Sequence, residues 1–349
     1  MKFDFAIGNP PYQGETTGDQ KRFAPPVYHL FLDEAYKIAN RVEMVHPARF
    51  LFNAGSTPKA WNEKMLADEH LKVLHYEQDS SKMFSNTAIA GGIVISYHDN
   101  LKTFHPVKVF TPFPELNSLL AKVTNQPDFQ SLGDIVFSAY VYHLTETVYK
   151  EHPELKTRLS ASHEYDLKSN FFDVIPEIVS DTLPGNTDLY VQILGRRQAQ
   201  RTYMWIRKDY ITTPTNFSKY KVFLAKASGE GSFKDDAPIS VIGHPLLGHP
   251  NVGHTETFIS IGTFEEEILA QAAIKYIKTK FARTMLGILK ITQDNPPGKW
   301  KYVPLQDFTA ASDIDWSVPI SAIDRQLYKK YDLNPEEILF IESKVKEME

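Results

Sequence analysis

Residues 3–12 read FDFAIGNPPY, an apolar stretch that leads into side chains able to do chemistry. The apolar part is typical of a buried strand, which would place Asn9 at the carboxyl end of a sheet, where open α/β folds bind ligands. The Asn9 side-chain oxygen and the Pro10 carbonyl could accept the two hydrogens of a conjugated amino group such as that of adenine. The rigid Pro10-Pro11 pair would fix the direction of that carbonyl. Such a site would return the nitrogen lone pair from the ring to nitrogen, which makes it a better nucleophile.

Tyr12 follows the two prolines and offers a flat ring. An enzyme cannot reach the amino group of adenine inside a duplex, so an extruded base would need such a surface to stack on. The alternative is a plain turn at the end of a strand, for which Asn and Pro are ordinary residues. A second Asn-Pro-Pro, at residues 295–297, lacks the Tyr and follows a helical pattern, so a turn explains it.

The elements around the motif alternate between strand and helix patterns. Strands are predicted at residues 3–8, 41–45, 71–76 and 92–97, and helices at 27–39 and around 61–66. This alternation predicts a mostly parallel sheet covered by helices. Beyond residue 100 the rhythm is lost among prolines, which indicates a domain boundary.

Later elements are shorter and mixed. Strands are predicted at 190–194, 203–206, 222–225 and 257–261, and helices at 116–123, at 265–289 and after Asn334. Asn334 would cap the last helix, with Pro335 in its first turn and acidic residues near the positive end of its dipole.

The motif and its setting resemble the adenine-specific DNA methyltransferases of bacterial restriction-modification systems, whose catalytic motif is Asn-Pro-Pro-Tyr or Asp-Pro-Pro-Tyr. The likeness covers residues 1–100 and extends to residues 257–262, 290–294 and 303–305. It implies an α/β fold. Residues 1–104 would form a partial Rossmann-like methyltransferase sheet, the catalytic half, and residues 105–349 an α+β target-recognition domain with a helical C-terminal region.

The resemblance also implies roles for single residues. Asn9, Pro10, Pro11 and Tyr12 would be catalytic, the methyl donor would be S-adenosylmethionine, and the substrate would be double-stranded DNA with a flipped adenine. In this family the loop between the last two strands supplies an aromatic residue against the flipped base, a place that Phe84 occupies here. Phe84 could equally be an aromatic side chain buried under a loop.

The Gly-rich turn that cradles the cofactor in this family is not found. It should precede the catalytic Asn, and only eight residues precede Asn9. Residues 227–233 are Gly-rich and follow a predicted strand, as a permuted copy of that turn would. Charged residues and a proline follow them, whereas a nucleoside site needs an amphipathic helix at that point. The cofactor-binding residues are therefore unknown, and the isolated chain is expected to bind S-adenosylmethionine weakly or not at all.

Without the cofactor-binding strands, residues 3–8 would form an apolar sheet edge, which proteins usually cover or pair. Three explanations remain open: a partner chain supplies the other half, the chain is a fragment, or catalysis has been lost. Self-association through this edge is a further expectation.

Charge is uneven along the chain. The formal net charge is −5, but cations cluster near residues 196–208 and 275–290. The candidates for phosphate or base-edge contacts are Arg196, Arg197, Arg201, Arg283, Lys290 and Gln293. The plain alternative for either cluster is a solvated face.

Composition excludes several classes of protein. The chain has no cysteine, and no histidine spacing indicates a metal site, so no metal is predicted. It has no apolar run of membrane-spanning length and no signal-peptide pattern, which predicts a cytoplasmic protein without membrane contact.

Other functions stay open. The same Asn-Pro-Pro-Tyr arrangement serves protein glutamine methyltransferases, but these have little chain after the catalytic domain. A non-catalytic DNA-binding, specificity or anti-restriction subunit would explain the missing cofactor turn. Residues 342–344 have the spacing of a nuclease motif, but they lie on a predicted helix with no acidic hairpin before it. A nuclease is therefore disfavoured.

Overall fold

The structure is a computed structural model that describes residues 3–14, 24–53, 55–85, 89, 91–104, 106–160, 162–231, 233, 237–290 and 292–349. The chain has a mixed α/β fold and divides into two compact units, unit 1 (Met1–Pro114) and unit 2 (Glu115–Glu349). The assignment of catalysis to residues 1–104 and of target recognition to residues 105–349 stays a prediction.

Unit 1 is built on one sheet. Its elements are β1 Phe3–Gly8, α1 Tyr28–Ile38, β2 Ala39–Pro47, α2 Lys59–Ala67, β3 Leu71–Glu77 and β4 Ile93–Asp99. The sheet order is β1-β2-β4-β3, so β1 lies at one edge. These bounds agree with the strand and helix patterns of the sequence.

The direction of β4 differs from the sequence prediction of a mostly parallel sheet. β1 and β2 are parallel, whereas β4 is antiparallel to both β2 and β3. A parallel connection needs a crossover, usually through a helix. The described part of the link from β3 to β4 contains only a short 3₁₀ turn, Ser80–Lys82. β1, β2 and β3 therefore run in one direction, and their carboxyl ends share one edge of the sheet.

The apolar stripe of α1 packs on one face of this sheet. Tyr28 and Leu32 join Trp61 and Met65 of α2 in one buried cluster, and Ala35 contacts the start of β2. The Asn100 amide donates to the carbonyls of Tyr36 and Ala39, at 3.1 and 3.0 Å. This bond fixes the point where α1 passes directly into β2.

The described strands of unit 2 form three sheets. Its strands are β5 Val136–Phe137, β6 His143–Leu144, β7 Val179–Ser180, β8 Tyr190–Arg197, β9 Gln200–Arg207, β10 Ile211–Thr212, β11 Tyr220–Ala225, β12 Leu246–Gly248, β13 Val252–His254 and β14 Phe258–Phe264. The sheet orders are β12-β11-β14-β5, β13-β8-β9-β7 and β10-β6. The longer strands β8, β9, β11 and β14 confirm the four predicted strands.

The helices of unit 2 flank these sheets. They are α3 Pro114–Thr124, α4 Glu146–Glu151, α5 Phe171–Val174, α6 Glu267–Lys278, α7 Lys280–Gly287, α8 Ile320–Lys330 and α9 Pro335–Lys344. The predicted cap of α9 is confirmed, since Asn334 and Glu337 form a reciprocal capping box.

The single long helix predicted over residues 265–289 is wrong. Thr279 adopts an extended conformation between α6 and α7, and its hydroxyl accepts the Ala282 N–H at 3.1 Å. The Asp324 carboxylate of α8 accepts the N–H groups of Lys280 and Phe281, at 3.1 and 2.9 Å. Free N–H groups at a helix start attract such acceptors, so a long-range contact stabilises the break.

Candidate active site and nucleic-acid surface

The Asn-Pro-Pro-Tyr run lies at the carboxyl end of β1. Gly8 pairs with Met44 in the parallel ladder, and a β-carbon at Gly8 would lie 3.1 Å from the Met44 sulfur. Asn9 then leaves the strand with an exposed side chain, while Pro10 is buried. The Asn9 amide is therefore open to a ligand, while the buried Pro10 ring fixes the backbone next to it.

The chain after the motif is fixed by backbone bonds. The Val27 N–H donates to the Tyr12 carbonyl at 3.1 Å, and the Gly14 N–H donates to the Pro25 carbonyl at 2.9 Å. Gln13 and Pro26 form an isolated antiparallel bridge. The segment that enters α1 thus holds the segment that leaves the motif, so the position of Tyr12 is set by the fold.

Tyr12 is a half-buried aromatic residue beside Asn9. Its hydroxyl oxygen is buried and completes no hydrogen bond with the described residues. Burial raises the pKa of the Tyr12 hydroxyl, and the neighbouring Asn9 side chain opposes this rise. Tyr12 is therefore a neutral ring near pH 7, as stacking against a base requires.

Phe84 lies in the link between β3 and β4. Its N–H donates to the Ser80 carbonyl at 2.9 Å, and its side chain is partly exposed. β1 and β3 are separated by two strands, which at normal spacing is about 14 Å. The sheet therefore does not set Phe84 directly beside Asn9, and contact with a base held by Asn9 stays a prediction.

Arg49 is a cation at the same edge that the sequence analysis missed. It follows β2, its side chain is exposed, and it forms no hydrogen bond or ion pair with the described residues. Gly55 and Gly91, with φ of 92° and 88°, flank its stem, and a β-carbon at Gly91 would lie 2.5 Å from its Cγ. Positive-φ glycines that admit an arginine stem are visible only in the folded chain.

The edge strand β1 is apolar and exposed. Phe3, Phe5 and Ile7 are 64%, 58% and 77% exposed, although Ala6 on the opposite face packs against the α1 cluster. Three apolar side chains of α1 are also exposed: Leu30, Phe31 and Ile38. The prediction of an apolar sheet edge is confirmed, whereas the prediction of a buried strand is wrong, because among the described residues β1 pairs with β2 alone.

Two of the six predicted DNA contacts, Arg196 and Arg197 at the end of β8, bind other groups of the chain. The Arg196 guanidinium donates to the Ala199 carbonyl at 3.1 Å, across the turn. Arg197 forms an ion pair with Asp181 at 2.7 Å. Both side chains therefore have a partner other than a phosphate.

Arg283 and Lys290 are buried, at 1% and 0% exposure. Arg283 donates to the carbonyls of Lys278 and Thr279, at 3.0 and 3.2 Å, and burial lowers its pKa to about 10. Burial also lowers the pKa of Lys290, to about 8. The prediction that one helix face presents both cations to DNA is wrong, because α7 ends at Gly287 and backbone carbonyls take up both side chains.

Arg201 and Gln293 are exposed. They lie far apart in the sequence, and the fold brings both to one end of the sheet β12-β11-β14-β5. Lys226, Tyr140 and Lys299 lie at that end as well and were missed by the sequence analysis.

Two glycine turns of the described residues, at Gly229 and at Gly91–Gly92, do not suit S-adenosylmethionine. Gly229, with φ of 68°, packs against the Val241 backbone, and the next described element is the strand β12. Gly91 and Gly92 lead into β4. A nucleoside site of this type needs a helix N-terminus after the turn, which neither place offers.

The described part of the chain offers neither a cluster of metal ligands nor a membrane-spanning helix. No group of three or more His, Asp or Glu residues there could hold a metal ion. No helix there is long and apolar enough to cross a membrane.

Comparison with known proteins gives a family match for the N-terminal part of the chain. Residues 1–84 match the Eco57I restriction-modification methylase family. The matched segment contains both Asn9 and Phe84, and the match supports a methylase role linked to restriction and modification. A comparison with curated proteins finds no match.

Two solved structures resemble the chain distantly. The type IIG restriction endonuclease BpuSI aligns with 93% of this chain and 49% of its own, at 9% identity and a TM-score of 0.34. The type IIL restriction-modification enzyme MmeI, solved in complex with DNA, aligns with 97% of this chain and 56% of its own, at 10% identity and a TM-score of 0.33. The chain thus spans about half the length of these enzymes.

Proposed function

We propose that this chain is the catalytic and target-recognition part of an adenine-specific DNA methyltransferase of a restriction-modification system. Unit 1 would be one half of a Rossmann-like methyltransferase sheet. The observation that carries the proposal is Asn9-Pro10-Pro11-Tyr12 at the carboxyl end of β1, with the Asn9 amide exposed and Pro10 buried. The family match over residues 1–84 supports the same conclusion.

The residues of the motif divide the task. The Asn9 side-chain oxygen accepts one hydrogen of the adenine amino group and the Pro10 carbonyl accepts the other, which localises the lone pair on nitrogen. The Tyr12 ring stacks on the extruded base. S-adenosylmethionine would supply the methyl group, held by a cofactor-binding part that completes the sheet.

The edge of β1 is where we place that cofactor-binding part. Phe3, Phe5 and Ile7 are exposed on a strand whose second edge is unpaired among the described residues. A further strand parallel to β1 would pair with this edge, and a helix or strand packed beside it would cover the three side chains. Burial of one such side chain contributes about 2 kcal/mol, so the contact would be strong.

Replacement of Asn9 tests the proposal. The assay is methyl transfer from radiolabelled S-adenosylmethionine to a mixed-sequence duplex, by the chain together with the polypeptide that supplies the cofactor site. Asn9→Ala should lower the rate about 100- to 1000-fold and leave duplex affinity unchanged, because the lost acceptor acts chiefly in the transition state.

Gln13→Ala is the matched control, since Gln13 is exposed on the same segment outside the motif. It should retain activity. Equal losses of rate in the two variants, or a loss of duplex affinity that accounts for the loss of rate, would make Asn9 a structural residue and refute the proposal.

A non-catalytic DNA-binding or anti-restriction subunit is the second candidate. The observation in its favour is that the turns at Gly229 and at Gly91–Gly92 do not suit the cofactor. The same assay separates the two candidates, because such a subunit would bind DNA and transfer no methyl group under any condition.

A further inference from the structure

We propose that one end of the sheet β12-β11-β14-β5 is the surface that binds duplex DNA, and we call it the sheet-end surface. It comprises Tyr140, Arg201, Lys226, Gln293 and Lys299. This inference rests on the proposed function, which requires duplex DNA as the substrate but does not say where unit 2 binds it.

Two cations of this surface lack a partner in the described part of the chain. The Arg201 guanidinium lies 5.6 Å above the Phe258 ring and forms no hydrogen bond or ion pair there. The Lys299 ammonium forms none either, and burial lowers its pKa while the nearby Asp294 opposes the shift. Loss of hydration without a bonded carboxylate leaves a cation that gains from an incoming anion.

Lys226 and Tyr140 form the centre of the surface. β11 ends at Ala225, which pairs with Phe258, and the Lys226 N–H donates to the Thr257 carbonyl at 2.9 Å. The Lys226 ammonium donates to the Tyr140 hydroxyl at 2.6 Å and lies 4.5 Å above the Tyr140 ring, which is 50% exposed. Arg201 lies over Phe258, which pairs with Ala225. It is therefore one residue along the ladder from Lys226, a second cation that contacts an aromatic ring.

A pair of loops carries Gln293 to the same place. The Ser228 N–H donates to the Gln293 carbonyl at 3.0 Å, and the Asn295 N–H donates to the Lys226 carbonyl at 2.7 Å. The buried Lys290 ammonium donates to the carbonyls of Ser228 and Thr292, both at 3.0 Å. Lys290 is therefore a positioning residue that ties the loop after Lys226 to the loop that carries the exposed Gln293.

The chemistry of these side chains fits a duplex. Cations without a carboxylate partner neutralise phosphates, and the Gln293 amide can both donate and accept, as the major-groove edge of adenine requires. Two acids lie nearby: Glu256 accepts the Ser169 N–H at 3.3 Å, and Asp294 is exposed beside Gln293. With a net charge of −5 for the whole chain, affinity for DNA must come from such a local surface.

The test measures binding of the full chain to a fluorescently labelled mixed-sequence duplex over a range of salt concentrations. Arg201→Ala and Lys299→Ala should each lower affinity for all duplexes and reduce the salt slope by about one unit, and together by about two. The matched control is Lys208→Ala, because Lys208 is exposed just after the far end of β9. It should change neither quantity.

Three results would overturn the proposal: no binding of the duplex at low salt, unchanged affinity and slope in the double variant, or equal losses in Lys208→Ala. Circular dichroism of each variant would show whether a loss of affinity reflects unfolding. Failure here is distinct from failure of the proposed function, because the effect of Asn9→Ala is read from methyl transfer and not from the salt slope.

A selection from a duplex library with randomised positions tests the role of Gln293. Gln293→Ala should lower the preference for the favoured sequence about ten-fold and leave the salt slope unchanged, because a base contact carries discrimination and a phosphate contact does not. Lys290→Met should loosen the loop pair and produce the same loss of preference. An unchanged preference in Gln293→Ala would remove Gln293 from the surface.

Discussion

Unit 1 and unit 2 differ in how they treat apolar and charged side chains. In unit 1, six large apolar side chains of β1 and α1 are about half exposed or more: Phe3, Phe5, Ile7, Leu30, Phe31 and Ile38. In unit 2 the exposed large apolar side chains are scattered over separate elements: Tyr140, Leu189, Tyr203, Ile268 and Leu339. Scattered apolar residues are normal on a surface, whereas three large apolar side chains on one face of an edge strand, as in β1, indicate an interface.

The buried charges show the opposite distribution. In unit 2, Lys221, Arg283 and Lys290 are almost completely buried, and each donates to backbone carbonyls. Such an arrangement requires that the carbonyls are already set by the surrounding fold, because a buried cation without acceptors is costly. Unit 2 therefore completes its own core, while unit 1 leaves one edge of its sheet for another element.

Replacement of the buried Lys221 is expected to have the largest effect on the stability of either unit. Lys221 is 0% exposed, and the three hydrogens of its ammonium are shared among four carbonyls, those of Asn216, Phe217, Lys219 and His249, at 2.8–3.2 Å. Burial lowers the pKa of Lys221 to about 7, while the four acceptors favour its charged form. Lys221→Met should lower the free energy of unfolding of unit 2 by about 3 kcal/mol, because it leaves the carbonyls without a donor.

Urea denaturation followed by tryptophan fluorescence would measure this loss. Lys208→Met is the control, since Lys208 is exposed and its replacement should change stability by less than about 0.5 kcal/mol. Similar stabilities of the two variants would show that unit 2 does not depend on its buried cation.

The second expected effect is a difference in how strongly a fall in pH destabilises the two units. In unit 1, burial lowers the pKa of His46 to about 4, and its Nε2 lies 2.8 Å from the Ser96 hydroxyl. The unfolded chain binds this proton near pH 6.5, so stability is lost as the pH falls from about 6.5 to 4, by about 3 kcal/mol for this residue. His254 in unit 2, also with a pKa of about 4, contributes a loss of the same sign.

Asp324 opposes that loss in unit 2 alone. Burial raises its pKa to about 6, so the folded state takes up a proton before the unfolded state does as the pH falls. This uptake adds about 3 kcal/mol of stability between pH 6 and pH 4 and offsets His254. Urea unfolding at several pH values should therefore show unit 1, reported by Trp61, to be the more acid-sensitive unit. Asp324→Asn should remove the difference, and equal sensitivity in the unmodified protein would contradict the assignment.

The smallest effect on stability is expected at the open edge. Ile7→Lys should change the free energy of unfolding of unit 1 by less than about 0.5 kcal/mol, because Ile7 is 77% exposed. It should also abolish any association through β1, since a lysine on an edge strand opposes pairing. Sedimentation velocity at increasing protein concentration measures the second effect.

Ile93→Lys is the matched control in the same sheet, because Ile93 is 0% exposed. This variant should fail to form a stable unit 1. If Ile7→Lys destabilised unit 1 to a similar degree, the edge would belong to the core of unit 1 and would not be an interface.

The sequence alone determined the features that depend on local order. The alternating patterns gave the bounds of β1, α1 and β3 within a few residues, and Asn334 with Glu337 marked the start of α9. The motif at residues 9–12 and its place after a strand were also readable, because a strand period and a proline pair act over a few neighbouring residues.

Only the tertiary structure decided the features that depend on distant contacts. Charge patterns could not show that Lys290 would reach the carbonyls of Ser228 and Thr292, whereas Arg201 would form no hydrogen bond or ion pair with the described residues. Nor could they show that the loop of Gln293 would pair with the chain after Lys226. A lysine is hydrated or buried according to the acceptors that residues far along the chain bring to it, and those acceptors exist as a group only once the chain has folded.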